Sequence, residues 1–555
     1  MSEQEILDGI YQDLRLDRWW EDLLGQPDPR FESFDLEKAI ESIPRTEVVA
    51  GEAVKQKFGN ILSYSAGTNL WYLWDGIIHV PCVGESVAQK VAKWYYAAMT
   101  DALRFIREYI NKQARLIESS GTANAKDDAK KMRDKYDKGE ISKHKRFRDR
   151  MSTDAGLTAL VRMMRTECDV PFDYYDNDHD WFVVRNMVLD TRDIAKGIWN
   201  PLTHSPERPV TKFFDAEYRP ASERQNLGHW DSFLKNSIPD DDARAYLQKV
   251  VGAAYMGECK LRTIMNLYGP PGSGKSVFLN TFWKLSSGGA GYAVAPDSKS
   301  IIKLSGTNFD QDSFRGARFV AISEPPMNDP IDNEFLKKVT GDEWVETRTL
   351  NVRSSGWRPQ CVIFTATNKA MKINTRDKAI VERVQMIEFP IEFVKDHPDP
   401  KRRRVAGLED LIMQDRERVL EWIIQGMLRY VNVDQRQLTP PASVVALQQS
   451  VVTEASTALR WIDDCVEEAM LVIEPNYPEQ YFLPLEDAYV RYQSWIVNSG
   501  ERHALPKRYF QQDIESKYGE CIRTSDNVVR IVGIRMTEDF RRKVEAAATP
   551  SWSAK

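Results

Sequence analysis

The sequence predicts a multi-domain α/β protein with a parallel sheet at its centre. Its 555 residues suffice for roughly three or four domains, each with a core of its own. Midway along, the apolar run Ile264–Tyr268 leads into a glycine-rich loop, Gly269 to Gly274, and then into an amphipathic helix. Two further apolar runs, Ala317–Ser323 and Cys361–Thr367, have the length and character of strands buried on both faces.

Composition narrows the class. Apolar and charged fractions of 42% and 28% are those of an ordinary globular chain. No apolar run approaches the roughly 18 residues of a spanning helix. The start, MSEQEILDGIYQDL, lacks the basic and apolar regions of a signal peptide, so a cytoplasmic protein with no membrane partner is expected. Six cysteines lie singly, without metal-ligand spacing, and are expected to be reduced and mostly buried. With a net charge of −6, contact with nucleic acid must come from local basic features.

Residues 1–60 are predicted helical and acidic, interrupted by Pro27 and Pro29, and carry no assigned chemistry. Leu70 to Val80 has the aromatic and β-branched content of a strand pair, and Val87 to Ile110 shows helical periodicity. Asn111 to Arg150 is rich in charge and poor in core residues, which predicts a solvated helix or loop. Its basic run, Lys143 to Arg148, reads as solvated charge rather than a nucleic-acid contact. Asp173, Asp176, Asp178, His179 and Asp180 are close enough in sequence to suggest a metal site, but Asp and Asn also build turns, and a turn before one strand, Trp181–Asp190, is expected. His229 to Gly257 reads as helices divided by Pro239, with Asp240 and Asp241 opening the second.

Gly269, Gly274, Lys275 and Ser276 match G-x-x-x-x-G-K-[ST] in its required setting between strand and helix. Backbone N–H groups of Gly269, Gly272, Ser273 and Gly274, in a loop whose shape is set also by Pro270 and Pro271, would surround phosphate oxygens. Lys275 would reach the β and γ phosphates of ATP, and Ser276 would ligate Mg2+. A second glycine-rich stretch, Ser286 to Val294, has no lysine after it and is assigned no phosphate.

Downstream residues narrow the chemistry. Glu324 follows the strand Ala317–Ser323 and is the candidate general base, acting on the metal and the attacking water. Asn368 follows Cys361–Thr367, where its amide could orient that water or sense the γ-phosphate. Between them lie a helix carrying Lys337 and Lys338, a break at Thr340-Gly341-Asp342, and a hairpin with Arg353 at its tip and Arg348 and Arg358 on its arms. These arginines could engage phosphates while Trp344 or Trp357 packs or stacks; solubilising surface charge is the plainer meaning. Arg383, before another apolar strand, could supply charge to a neighbouring subunit's ATP.

Taken in order, the glycine loop, Glu324, LKKVTGDEWVETR, FTATN and VERVQMIEF resemble a superfamily 3 helicase of the phage and plasmid primase-helicase type, related to the poxvirus helicase-primases. The resemblance covers most of the chain. It implies a helical segment at 1–60, a mixed α+β helicase-associated domain at 61–250, an AAA+-like ATPase/helicase at 251–435 and a winged-helix-like domain at 436–545. It further implies that Lys275 and Ser276 are nucleotide ligands, Glu324 the Walker B acid that with Ser276 holds Mg2+, Asn368 the first sensor and Arg383 the arginine finger. Lys337 falls in the segment between Walker B and sensor, and Arg353 in the DNA-translocating hairpin. The family's TGGD-like step is TGDE here, so Asp342 and Glu343 could exchange roles, and Ser323 stands where many ATPases have a second acid. No room for a primase domain is expected before residue 60.

The expected function is an ATP-dependent DNA helicase or translocase, a hexameric ring serving replication of a phage or mobile element. Its partners would be a DNA single strand in the pore, the fork duplex, and a primase or replication-initiation protein. In the C-terminal region Lys507, Arg508 and Gln511 could enter a DNA groove, helped by Arg523 and Arg530, or that region could dock protein. A non-unwinding ATPase switch such as a helicase loader, or a P-loop kinase, would share the nucleotide site but lack directional strand separation.

Overall fold

The computed structural model describes residues 2–25, 34–220, 222–223, 227–257, 261–286, 291–301, 313–323, 332–341, 343–347, 355–368, 378–433, 435–474, 481–499, 504–525 and 527–542. They fall into two compact units. The first holds Met1–Asp190 and Asn200–Phe214, the second Thr191–Trp199, Asp215–Thr349 and Ser354–Lys555. Among the described residues no helix is long and apolar enough to cross a membrane.

The first unit is organised by one helix, Ser86–Glu118, whose apolar side buries Val91, Tyr95, Met99, Leu103, Ile106 and Ile110 at helical spacing. Short N-terminal helices pack onto it, and Trp19, 1% exposed, sits with its ring 5.2 Å from Phe58 and 5.5 Å from Tyr95. The first helix, Glu3–Asp13, opens with a capping box between Ser2 and Glu5. The expected strand pair is part of a three-stranded antiparallel sheet, Leu62–Ser65, Leu70–Trp74 and His79–Cys82.

The charged stretch is helical. Ile141–Met151 buries Ile141, His144, Phe147 and Met151 and turns its basic residues outward. Lys143 pairs with Glu140, Lys145 with Asp137 and Arg150 with Glu47, so much of this basic run is answered within the unit. Trp181–Asp190 is not one strand. It folds at Arg185–Asn186 into an antiparallel pair, Trp181–Val184 and Met187–Asp190, with Val184 opposite Met187. A two-residue connection containing Asn suits a tight hairpin, a turn signal hidden inside the apolar run.

The second unit contains a five-stranded, all-parallel sheet: β1 (Ile264–Tyr268), β2 (Ala293–Val294), β3 (Phe319–Ser323), β4 (Val362–Thr367) and β5 (Val384–Glu388), in the order β5-β1-β4-β3-β2. Such a sheet is covered on both faces, which is why its strands are almost uniformly apolar. Phe319 stacks on Phe364 at 4.0 Å and on Phe282 of the helix Lys275–Leu285 at 4.7 Å. The helix Asp241–Tyr255, capped by Asp240 through the amides of Asp242 and Ala243, crosses the helix Arg416–Asn432 with a glycine from each at the contact. A Cβ on Gly252 would lie 2.3 Å from the backbone of Gly426 and Met427.

The C-terminal part of this unit has a core of its own, including Trp461, Leu483, Tyr492, Phe510, Ile514 and Ile531. It comprises the helices Thr457–Glu467, Leu485–Asn498 and Lys507–Tyr518 and an antiparallel sheet in which Val529–Val532 lies between Phe482–Pro484 and Ile522–Arg523. The described cysteines are free thiols: burial pushes Cys82, Cys465 and Cys521 up to about 12 and Cys168 to about 11.

Candidate functional site

The glycine loop leaves the C-terminal end of β1 and is tied to the neighbouring strand, the Gly269 amide donating to Thr367 O at 3.3 Å. Two glycines are sterically required. Gly269 has φ 151° and a Cβ there would lie 2.2 Å from Phe389 O; Gly274 has φ 98° and a Cβ there would meet the Phe233 ring at 2.8 Å and Ser237 Oγ at 2.9 Å. The helix Lys275–Leu285 begins directly after it, so its first amides face the loop.

Lys275 is 5% exposed. Its Nζ donates to Gly269 O and Pro270 O, both at 2.7 Å, and to Ser273 Oγ at 3.1 Å. Desolvation lowers its pKa. The ammonium therefore points into the loop's own concavity, the place where phosphate oxygens would compete with those carbonyls. Ser276 is exposed on the first helical turn.

Adjacent strands bring other candidates to the same sheet edge. Thr367 of β4 pairs with Tyr268 of β1, and Ala366 with Ser323 of β3. Asn368, exposed, thus begins the loop next to Gly269, and the position after Ser323 begins the next one. That position is Glu324, which lies outside the described residues, as do Arg348, Arg353 and Asp342. Ligands of open parallel sheets bind at such carboxyl edges. A feature not anticipated from the motifs lies beneath: Asn266 Oδ1 accepts from Thr365 at 3.1 Å and Thr367 at 3.0 Å, tying β1 to β4. A polar residue in the middle of an apolar strand was its visible signal.

Lys337 and Lys338 lie on the helix Asn333–Thr340, capped by Asp332; Lys338 pairs with Glu334 at 2.9 Å, which raises its pKa. Arg383 ends the helix Lys378–Arg383, its guanidinium 3.7 Å from where a Cβ on Gly341 would be. The hairpin forms with Val345 opposite Trp357 and Thr347 opposite Ser355. Trp357 is buried, and Trp344 is exposed with the Arg358 guanidinium 5.8 Å from its ring centre.

In the C-terminal part, Lys507 is ion-paired with Glu486, Gln511 bonds Glu515 at 2.7 Å and Arg523 bonds Asn527 at 2.7 Å, while Arg508 is exposed. Arg530 lies over the Phe482 ring at 4.2 Å. The acidic stretch near Asp176 is a turn: Asp176, at φ 54°, accepts from the Thr211 amide at 2.9 Å, and Asp178 accepts from the Asp180 amide at 3.0 Å. Among the described residues no group of three or more His, Cys, Asp or Glu is arranged to hold a metal.

Residues 51–239 match the family described as D5 N terminal like. That span of the chain is similar to the D5 N terminal like family. This bears out the kinship with primase-helicases that the motifs suggested, and the matched span stops short of the glycine loop. A curated relative, "Putative helicase L207/L206" of Acanthamoeba polyphaga mimivirus, is 23% identical over 179 residues, covering 32% of this chain and 19% of its own length. The chain thus spans about a fifth of the relative it matches. Among solved structures, the A form apo structure of the NrS-1 C terminal region overlays with a TM-score of 0.34 at 13% identity, covering 57% of this chain and 77% of that one. Another apo structure of the same region gives 0.35 at 12% identity, with the same coverage.

Proposed function

We propose that the chain is an ATP-dependent DNA helicase or translocase that works as a ring, a hexamer, in replication of a phage or mobile element inside a host cell. The observation that supports this reading is that β1, β4 and β3 are adjacent and parallel, so that the glycine loop after β1 and Asn368 after β4 lie at one sheet edge; Glu324, next in sequence after β3, lies outside the described residues. The D5 N terminal like domain and the viral helicase relative support the replication setting.

In this reading residues 251–435 are an AAA+-like ATPase and 436–545 a winged-helix-like domain, following a helical segment at 1–60 and a helicase-associated domain at 61–250. The loop fits a phosphate: a buried ammonium faces its own carbonyls there, glycines keep Cβ atoms out, and Ser276 beside it is exposed. On ATP binding Lys275 exchanges its carbonyl partners for phosphate oxygens. Ser276 and Glu324 would hold Mg2+, which would supply positive charge to the phosphates. Glu324 takes the proton of the attacking water, Asn368 orients that water, and Arg383 reaches the γ-phosphate of the next subunit. Release of phosphate moves the hairpin with Arg348 and Arg353, and with it the neighbouring Lys337, along the DNA backbone. Lys507 and Arg508 contact duplex at the fork, and a primase or initiation protein recruits the ring.

The test is strand displacement on forked DNA bearing a free 3′ or free 5′ tail, with ATP and Mg2+. Unwinding from one tail only is expected. ATP turnover without displacement on either fork would instead leave a non-unwinding switch. Mixing Lys275→Ala with Arg383→Ala subunits should restore part of the hydrolysis at mixed boundaries; strictly independent behaviour would count against shared sites.

A further inference from the structure

The two tryptophans of the hairpin have opposite surroundings. Trp357 is 4% exposed and belongs to the core cluster that includes Val345, its cross-strand partner, and Phe335 and Val339 of the preceding helix. Trp344 is one residue before Val345, and side chains along an extended strand alternate between faces. With Val345 turned inward, Trp344 is turned out, and 61% of it is exposed. The Arg358 guanidinium is the charged group recorded over its ring, at 5.8 Å.

We propose that Trp344 and Arg358 form a stacking platform for one base of single-stranded DNA. The inference rests on the translocase reading and adds a base contact to the phosphate contacts already assigned to the hairpin arginines. Two observations favour nucleic acid as the occupant. From Trp344 to Gln360 the chain carries Arg348, Arg353 and Arg358 against Glu346, while Asp342 and Glu343 directly precede Trp344, so the positive charge belongs to the hairpin and not to the segment leading into it. The cation also lies over the ring, at 5.8 Å, so a base that stacks against the indole brings its phosphate near a positive charge. Every base has a π face, so the contact is tolerant of sequence, as a moving strand requires. Trp357, held in the core, fixes the hairpin that presents the platform.

The experiment is binding of fluorescein-labelled oligo-dT to the full chain, read by anisotropy at fixed low salt, with sedimentation of the same samples. Trp344→Ala should weaken binding by about 5- to 150-fold, the range that loss of one stacked base converts to. Trp344→Phe keeps a π face and should stay within about threefold of the parent. Arg358→Ala should weaken binding, and repeating the titration across about 50 to 200 mM salt should show its salt dependence lowered by about one phosphate contact. Oligo-dT should quench part of the parent's tryptophan emission, and that part should be missing in Trp344→Phe. If the parent binds and Trp344→Ala binds equally well, the platform is wrong and the translocase reading stands. If the parent binds no oligonucleotide, both fall. Equal losses in the Ala and Phe variants, or a loss that follows dissociation of the unliganded assembly, would make Trp344 a structural or subunit contact and overturn the proposal.

Discussion

Lys275 has three hydrogen-bond partners, all from its own loop, so the folded chain keeps a desolvated cation where the motif calls for one. Lys275→Ala should lower ATP turnover by about a hundredfold or more, as loss of one preorganised charge donor does, measured as phosphate release at saturating ATP. A second residue makes a prediction outside the ATPase. Burial, and then the Arg45 guanidinium donating to its Nε2 at 3.1 Å, push His144 down to about 4. The folded state thus keeps this imidazole neutral while the unfolded chain protonates it below its ordinary value near 6.5. Stability from this site is present above that value and is lost as pH falls towards 4. Thermal midpoints by circular dichroism should fall across that window, and more steeply in the parent than in His144→Gln; identical slopes would remove His144 as a cause. The strand, loop and helix that hold Lys275 were legible in the sequence around its eight-residue motif. The burial of His144 was not, because it sits within a basic run, and only helical spacing with Ile141, Phe147 and Met151 turns it inward.

At the level of elements, the crossing of Asp241–Tyr255 with Arg416–Asn432 depends on the absence of side chains at Gly252 and Gly426. A Cβ on Gly426 would lie 2.2 Å from Gln248 O, and the Gln248 side-chain amide donates to Trp422 O at 2.9 Å across the same contact. Gly252→Ala should therefore cost about 1–3 kcal/mol through forced separation of the helices, despite its better helix propensity. Urea unfolding followed by tryptophan emission should shift to lower urea, since Trp230 and Trp422 pack edge to face beside this crossing at 5.4 Å. An unmoved midpoint would mean that the helices can separate freely. Some elements here were visible in the sequence: β1 runs over the residues its apolar pattern predicts. Trp181–Asp190 was misread because apolar runs on both sides of Arg185–Asn186 give one continuous signal that hides the turn between them.

For the whole molecule, the charge balance constrains how the proposed DNA binding would work. With a net charge of −6, attraction to phosphates must come from restricted basic surfaces such as the hairpin, so affinity should fall steeply with salt. Raising salt from about 50 to 200 mM should weaken single-strand binding by similar factors for two unrelated base sequences, read by anisotropy. A strong difference between the two sequences would point to base readout instead of backbone tracking. In the same preparations ATP, Mg2+ and DNA together should drive assembly seen in sedimentation, and a fully active single protomer would end the shared-site reading.

The sequence by itself determined the strand, loop and helix around Gly269, because steric demands on glycine and the need for a cation beside phosphate are local in the chain. It also carried the order of motifs, and the D5 N terminal like match agrees with the kinship they imply. Tertiary structure alone decided that β4 lies between β1 and β3, which brings Asn368 beside the glycine loop from about a hundred residues away. It alone separated Trp357 from Trp344, two residues of one type in one hairpin, since burial depends on which face meets the core and no composition encodes that choice.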